Sequence, residues 1–317
     1  MSGMSHKMTP PEWLAAARAH AMKYLVLFAN NPGVEKIVKE FDAKYLQIQD
    51  PVERLHYLAK LAAKEWDFRK GRERWEVTET FDMDSPDSKL GNIIHQGARL
   101  AEMASASRAT LRHYSIMAIL GGANRSPYNR LKYALEQHVT YDMLAYLGSE
   151  REVLPPEQEN TKDYAPGAHN EFDLGVGAIT TLMKDQITGP LNYEIRTPES
   201  RVAHMQQKNG VPILVLSAPP RQGAARANTA DTYEFLRLHE ALGPTKNILF
   251  ATAAIFRYGQ YFDAVREISL KTGTDIEVIG FEPGYSGMDF KPSQFLQELK
   301  AAADAALRLY NAIQDSN

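Results

Sequence analysis

Cysteine is absent from all 317 residues, which removes disulfides, thiolate nucleophiles and thiolate zinc sites together. That absence fits a reducing compartment. Long apolar runs are missing too. No stretch approaches the roughly 20 consecutive apolar residues of a membrane helix, and Met1 to Met8 lacks the basic and apolar regions of a signal peptide. Neither sign of charge dominates, with 36 Lys and Arg against 39 Asp and Glu and a net charge of -3. Without a basic block or an RNA-binding aromatic motif, a nucleic-acid groove is not expected. The chemical signatures GxGxxG, Walker A, HExxH and GxSxG are likewise missing, so the commonest dinucleotide, nucleoside-triphosphatase, metalloprotease and serine-hydrolase sites have no anchor. The expectation is a soluble cytoplasmic protein that binds neither membrane nor nucleic acid.

With 44% hydrophobic and 24% charged residues, the chain is long enough for one large globular domain or two smaller ones. Its first hundred residues carry apolar positions at spacings of three and four. Trp13, Leu14, Ala17, Ala21, Leu25 and Phe28 make one stripe behind Pro10 and Pro11, which suit a helix start. Others run through Val34, Ile37, Val38, Phe41 and Leu46, and through Val52, Leu55, Leu58, Leu61 and Trp66. A polar stretch from Gly71 to Asp87 precedes a further helix from about Leu90 to Ala104. All three tryptophans, Trp13, Trp66 and Trp75, fall in this region, where core or cap positions are the simplest reading.

From Ser115 the texture changes to short apolar runs alternating with helical patterns, the mark of βαβ units. Strands are predicted at Ser115 to Leu120, Asp142 to Leu147, Ile213 to Ala218, Ile248 to Thr252 and Ile276 to Phe281. Helices are predicted near Tyr128 to Gln137, through Leu174 to Leu182, at Ala230 to Leu242, at Gly259 to Leu270 and at Pro292 to Ile313. The fold class is therefore α/β: a Rossmann-like, doubly wound, mostly parallel five-stranded sheet with an N-terminal helical subdomain. The expected division is a helical region over 1–107 and an α/β domain over 108–317. Gly148 to Asn170 reads as a long polar loop, and a loop of that length is a candidate lid.

Four of the predicted strands lead into arginine-bearing loops: Arg125 and Arg130, Arg151, Arg221 and Arg226, and Arg257. On parallel strands these loops share one edge, the carboxyl edge where open α/β sheets bind ligands. A guanidinium donates two parallel hydrogen bonds, which suits carboxylate or phosphate. After the first strand, Gly121 and Gly122 permit close backbone approach to an anion, and Asn124 follows; a plain tight turn would look the same. Ser217, Arg226, Asn228 and Thr229 cluster after the third strand, where Asn228 or Thr229 also suits a helix cap. Thr252 and Arg257 end the fourth. Glu171 and Asp231 are the candidate acid-base groups, Glu171 also reading as an acceptor for ribose hydroxyls or a first-turn helix carboxylate. His169, Glu171 and Asp173 alternate, but without a second histidine pair no metal is expected.

This order of motifs resembles the DUF218 (YdcF/SanA/ElyC-like) family across roughly 113–282. The resemblance is carried by Leu120-Gly121-Gly122, by Arg130-Leu131-Lys132-Tyr133-Ala134-Leu135, by Glu171, by Asn228-Thr229-Ala230-Asp231-Thr232, and by Leu249 to Thr252 with Arg257. It departs where Gly148-Ser149-Glu150 replaces a Ser-Gly-Gly and where Asp231 and Thr232 replace a Glu-Asn pair. It implies a Rossmann-like fold and, for one branch, binding of S-adenosylmethionine or a nucleotide. The combined expectation is a small anionic or zwitterionic metabolite, S-adenosylmethionine first, held at the carboxyl edge for conversion by a transferase-like enzyme. A metal-independent hydrolase or transferase of a phosphorylated metabolite and a noncatalytic ligand sensor are the alternatives. A homo-oligomer is compatible with the sequence.

Overall fold

The computed structural model describes residues 11–72, 77–197, 200–224 and 226–315. Trp75 and the segment from Met1 to Met8 lie outside the described residues. The helical part comprises α1 (Glu12–Ala29), α2 (Pro32–Val38), α3 (Pro51–Glu65) and α4 (Lys89–Leu100). Local chemistry sets their starts. Asn31 accepts from the backbone N–H groups of Gly33 and Val34, Asp50 from those of Val52 and Glu53, and Ser88 from that of Gly91; Pro32 and Pro51 occupy first-turn positions that need no hydrogen bond. Helices α2 and α4 touch backbone to backbone. A Cβ on Gly33 would stand 2.2 Å from the Gly97 carbonyl oxygen, so both positions require glycine for this approach. The stripe expected from Val34 to Leu46 is interrupted after α2, and Tyr45 returns to the core on a 3-10 turn at Ala43–Gln47.

The α/β part runs β1 (His113–Leu120), α5 (Ser126–Leu135), β2 (Thr140–Ser149), α6 (Pro155–Thr161), α7 (Glu171–Leu182), β3 (Ile187–Thr197), β4 (Ser200–Gln207), β5 (Pro212–Ala218), α8 (Thr229–His239), β6 (Asn247–Ala253) and α9 (Arg257–Ala264). A π turn over Val265–Ser269 leads into the one-turn α10 (Leu270–Thr272), followed by β7 (Asp275–Phe281) and α11 (Pro292–Asp315). The described strands form one sheet in the order β3-β4-β5-β2-β1-β6-β7. Its five parallel strands, β5-β2-β1-β6-β7, are the five expected from sequence. In chain order they lie 3-2-1-4-5, the doubly wound arrangement whose direction of growth reverses between β1 and β6.

Two expectations need correction. The sheet has seven described strands rather than five, because β3 and β4 extend one side as antiparallel neighbours of β5. The segment from Gly148 to Asn170 is not a structureless loop. It contains α6, and an antiparallel bridge joins Glu152 to Asn170.

One contiguous set of buried residues links the helical region to the sheet. Its seam is α11, which packs on α3 and α4 from one side and on α9 from the other. Phe295, Leu299, Ala302, Ala306, Leu309 and Ile313 recur at three- and four-residue spacing on its buried face. The alanines leave room for α9, where a Cβ on Gly259 would lie 3.7 Å from the Ala302 Cα. No helix among the described residues is long and apolar enough to cross a membrane.

Candidate functional site

The reversal of strand order opens a crevice beyond the carboxyl ends of β1 and β6. A cleft of about 1170 Å³ lies there. On its first side, β1 delivers the Gly121 to Asn124 loop into α5. Gly121 still pairs with β2, its N–H donating to the Leu147 carbonyl at 2.7 Å. A Cβ there would sit 2.7 Å from that same oxygen and 3.4 Å from Glu171 Oε2, so glycine keeps the loop against the second strand and beside the carboxylate. Asn124 takes the left-handed conformation at φ 52°, which asparagine tolerates better than most residues. The next N–H groups of the loop, those of Gly122, Ala123 and Asn124, find no acceptor among the described residues, and α5 begins without a side-chain cap. Such a run of backbone donors at a helix start is a concavity suited to an anion.

Most of the candidate arginines already hold a partner. Arg130 is buried and donates to the carbonyls of Leu120 and Gly121, with its guanidinium over the Phe256 ring. It therefore shapes the glycine loop. Arg125 forks onto Asp163 at 2.7 and 2.8 Å and lies over Tyr128 and Tyr164. Arg151 is buried between Glu171, at 2.8 Å from its Nε, and Glu157, at 3.0 Å from Nη1. Burial works against the Arg151 charge, but the two carboxylates more than offset it and hold the guanidinium protonated above its ordinary range. Arg257 pairs with Glu102, and Arg221 with Asp231. Arg226 is engaged as well, and it lies exposed at the cleft lining.

Gly121, Gly122, Asn124, Arg125, Arg130 and Glu171 line the cleft, joined by Arg226 and Asn228 from the segment before α8 and by Thr229 at its start. Ser217, Thr252, Arg257 and Asp231 do not. Ser217 and Thr252 are fully buried at the ends of β5 and β6, and their hydroxyls have no hydrogen-bond partner among the described residues. Asp231 closes a capping box with Asn228: its Oδ2 accepts from the Asn228 N–H, and Asn228 Oδ1 accepts from Ala230 and Asp231. Glu171 accepts from Ser149 Oγ as well as Arg151. Both carboxylates singled out from sequence thus carry structural duties.

The cleft also reaches groups that spacing did not reveal. Past Phe256 and Thr232 it runs along α9 and α11, where Gln260, Asp263 and Arg308 line it. Burial pushes the Asp263 carboxyl above its ordinary value, although Arg308 and Arg266 oppose that. Asp263 sits within a regular helical pattern, and only the packing of α9 against α8 and α11 makes it a cleft residue. Among the described residues no group of three or more His, Asp or Glu is placed to hold a metal. His169 and Asp173 meet instead through the His169 N–H and Asp173 Oδ2.

Comparison with known proteins corrects the family resemblance. The family model that matches is the Rv3785 N-terminal domain, over residues 16–95. That range spans most of α1 to α4, which the DUF218 resemblance left out. The chain is similar to "Uncharacterized protein Rv3785" of Mycobacterium tuberculosis (strain ATCC 25618 / H37Rv) and to "Uncharacterized protein Mb3814" of Mycobacterium bovis. Each is 27% identical over 263 residues, covering 77% of this chain and 71% of the relative. No solved structure matches the chain. The matching family is thus not DUF218, and the glycine turn and Asn-Thr helix start that resemble it are features of the doubly wound fold and of helix capping.

Proposed function

We propose that this protein binds a small anionic or zwitterionic metabolite of nucleotide-like chemistry in the cleft between the β1 and β6 ends, and converts it. The observation that carries this reading is the Gly121 to Asn124 loop. Three successive residues that line the cleft, Gly122, Ala123 and Asn124, have backbone N–H groups without acceptors among the described residues, beside an uncapped helix start. An anion is the natural occupant of such a nest, because it satisfies the donors and is favoured by the helix dipole. The cleft volume of about 1170 Å³ exceeds the roughly 300–1,000 Å³ of typical small-molecule pockets, which leaves room for more than the anion itself. From α6, the exposed Asn160 and the buried Glu157 line the cleft and would give the bound ligand a wall that limits water access.

S-adenosylmethionine has no support from the family that matches. It stays within the proposed class through its carboxylate and ribose, without priority over nucleotides. The test is calorimetric titration of the purified protein with pyrophosphate, ADP, S-adenosylmethionine and sugar phosphates, repeated on Arg226→Ala. Saturable binding of one class, weakened about tenfold or more in the variant as expected for loss of a charge-assisted hydrogen bond, supports the reading. Absence of binding across the panel removes it.

A further inference from the structure

The cleft continues past the anion nest to a polar recess on α9 that the reading above does not use. Gln260 and Asp263 are three residues apart and share one face of α9, with Phe256 one turn before Gln260 on the same line. Gln260 Oε1 is buried and has no hydrogen-bond partner among the described residues. The Tyr233 hydroxyl, on α8 next to the cleft-lining Thr232, is fully buried and equally without a partner. Asp263 is the charge that acts on it most strongly. Asp263 itself is held loosely: Arg308 Nη2 stands 3.3 and 3.4 Å from its two oxygens and Arg266 Nη2 3.1 Å from Oδ1. The Glu171 oxygens, by contrast, take partners at 2.8 Å.

A buried acceptor without a donor costs stability, and Gln260 Oε1 lines the cleft one turn from a carboxylate whose arginine partners stand no nearer than 3.1 Å, so a donor from the cleft would suit both. We propose that Gln260 and Asp263 form a second subsite, which accepts hydrogen bonds from a hydroxyl-bearing or amino-bearing part of the same ligand whose anionic end lies in the Gly121 to Asn124 nest. This inference rests on the proposed anion site and gives its ligand a second, donor-rich end, as a ribosyl group would supply. The raised carboxyl of Asp263 agrees with it, because a ligand donor would stabilise the ionised form that burial disfavours.

The experiment compares two probes, inorganic pyrophosphate and ADP, by calorimetry on the wild-type protein, on Gln260→Met and on Asp263→Asn. The subsite predicts that ADP binds at least about tenfold more tightly than pyrophosphate, that each variant weakens ADP about tenfold, and that neither changes pyrophosphate affinity. Gln260→Met removes an unpaired acceptor, so its thermal midpoint should stay or rise, which separates a binding role from a structural one even if Asp263→Asn folds poorly. Equal affinity for the two probes, or ADP binding indifferent to Gln260→Met, overturns the second subsite while leaving the anion site in place. Failure of both probes to bind the wild-type protein removes the anion site and the subsite with it.

Discussion

Glu171 and Asp263 are both cleft-lining carboxylates, and their surroundings separate them. Glu171 is neutralised by Arg151 and hydrogen-bonded by Ser149, so it belongs to a buried network in which each member depends on the others. Arg151→Met would leave Glu157 and Glu171 without their buried counter-charge. It should cost about 3–5 kcal/mol of unfolding free energy, readable in urea melts, as expected when one partner of a buried pair is deleted. A loss below about 1 kcal/mol would show that the network is hydrated and replaceable. Asp263 behaves in the opposite sense. Arg308 from α11, Arg266 and Glu267 on its own helical run, and Tyr233 from α8 face it, and burial raises its carboxyl above the unfolded value. A raised carboxyl binds its proton more tightly in the native state. Its contribution is therefore complete below the unfolded value near pH 4 and is lost as pH rises through the folded value. Asp263→Asn does not titrate, so its thermal midpoint relative to wild type should climb as pH rises above about 4. A flat or falling difference contradicts the assignment. Neither role could be read from spacing, because Asp263 occupies an ordinary helical position and Glu171 an ordinary helix first turn.

Among the elements, the five parallel strands were legible because each is a short buried run between polar segments, as in β1, where seven of eight residues are buried. Strands β3 and β4 were not. They lie at the side of the sheet where one face meets solvent, and polar residues such as His204, Gln206 and Gln207 interrupt the apolar pattern. Helix α6 was hidden behind Pro155 and Pro156. These read as loop residues in isolation but fill first-turn positions here, with Glu157 accepting from the Leu154 N–H. The segment from Gly148 to Asn170 is tied to the nest by the Arg125 to Asp163 fork, by Asn160 donating to Asn124 Oδ1, and by the Tyr164 hydroxyl on the Asn124 carbonyl. Arg125→Ala should therefore raise amide exchange across residues 155–168 more than in α11. Ligand should restore part of that protection, because closing over the site is the motion these ties would govern. Unchanged exchange in the variant would show that the prolines and the Glu152 to Asn170 bridge hold the segment unaided.

For the molecule as a whole, the helical character of the first hundred residues could be read from periodicity, but what they cover could not. Periodicity gives each helix a buried face without naming its neighbour. The structure pairs that face with α11, the last element of the chain, so the helical region and the sheet share one core. A fragment beginning at Arg108 would expose the α11 face now covered by α3 and α4 and should aggregate. A monomeric fragment with a cooperative melt would contradict that shared core.

The cleft was legible in part. Its glycine loop and its arginines announced an anion edge, but most of those arginines prove to be bound to carboxylates or backbone carbonyls, which spacing along a chain does not reveal. What remains for the ligand is the backbone nest and the arm along α9, with the exposed Arg226 beside them. The most direct test of this central claim is native mass spectrometry of the purified full-length protein, mixed with equimolar ADP and with a neutral nucleoside, adenosine, in parallel. The anion nest predicts a one-to-one ADP adduct that persists under gentle activation, little or no adenosine adduct, and loss of the ADP adduct on Arg226→Ala. Equal retention of ADP and adenosine, or ADP retention indifferent to Arg226→Ala, would contradict it.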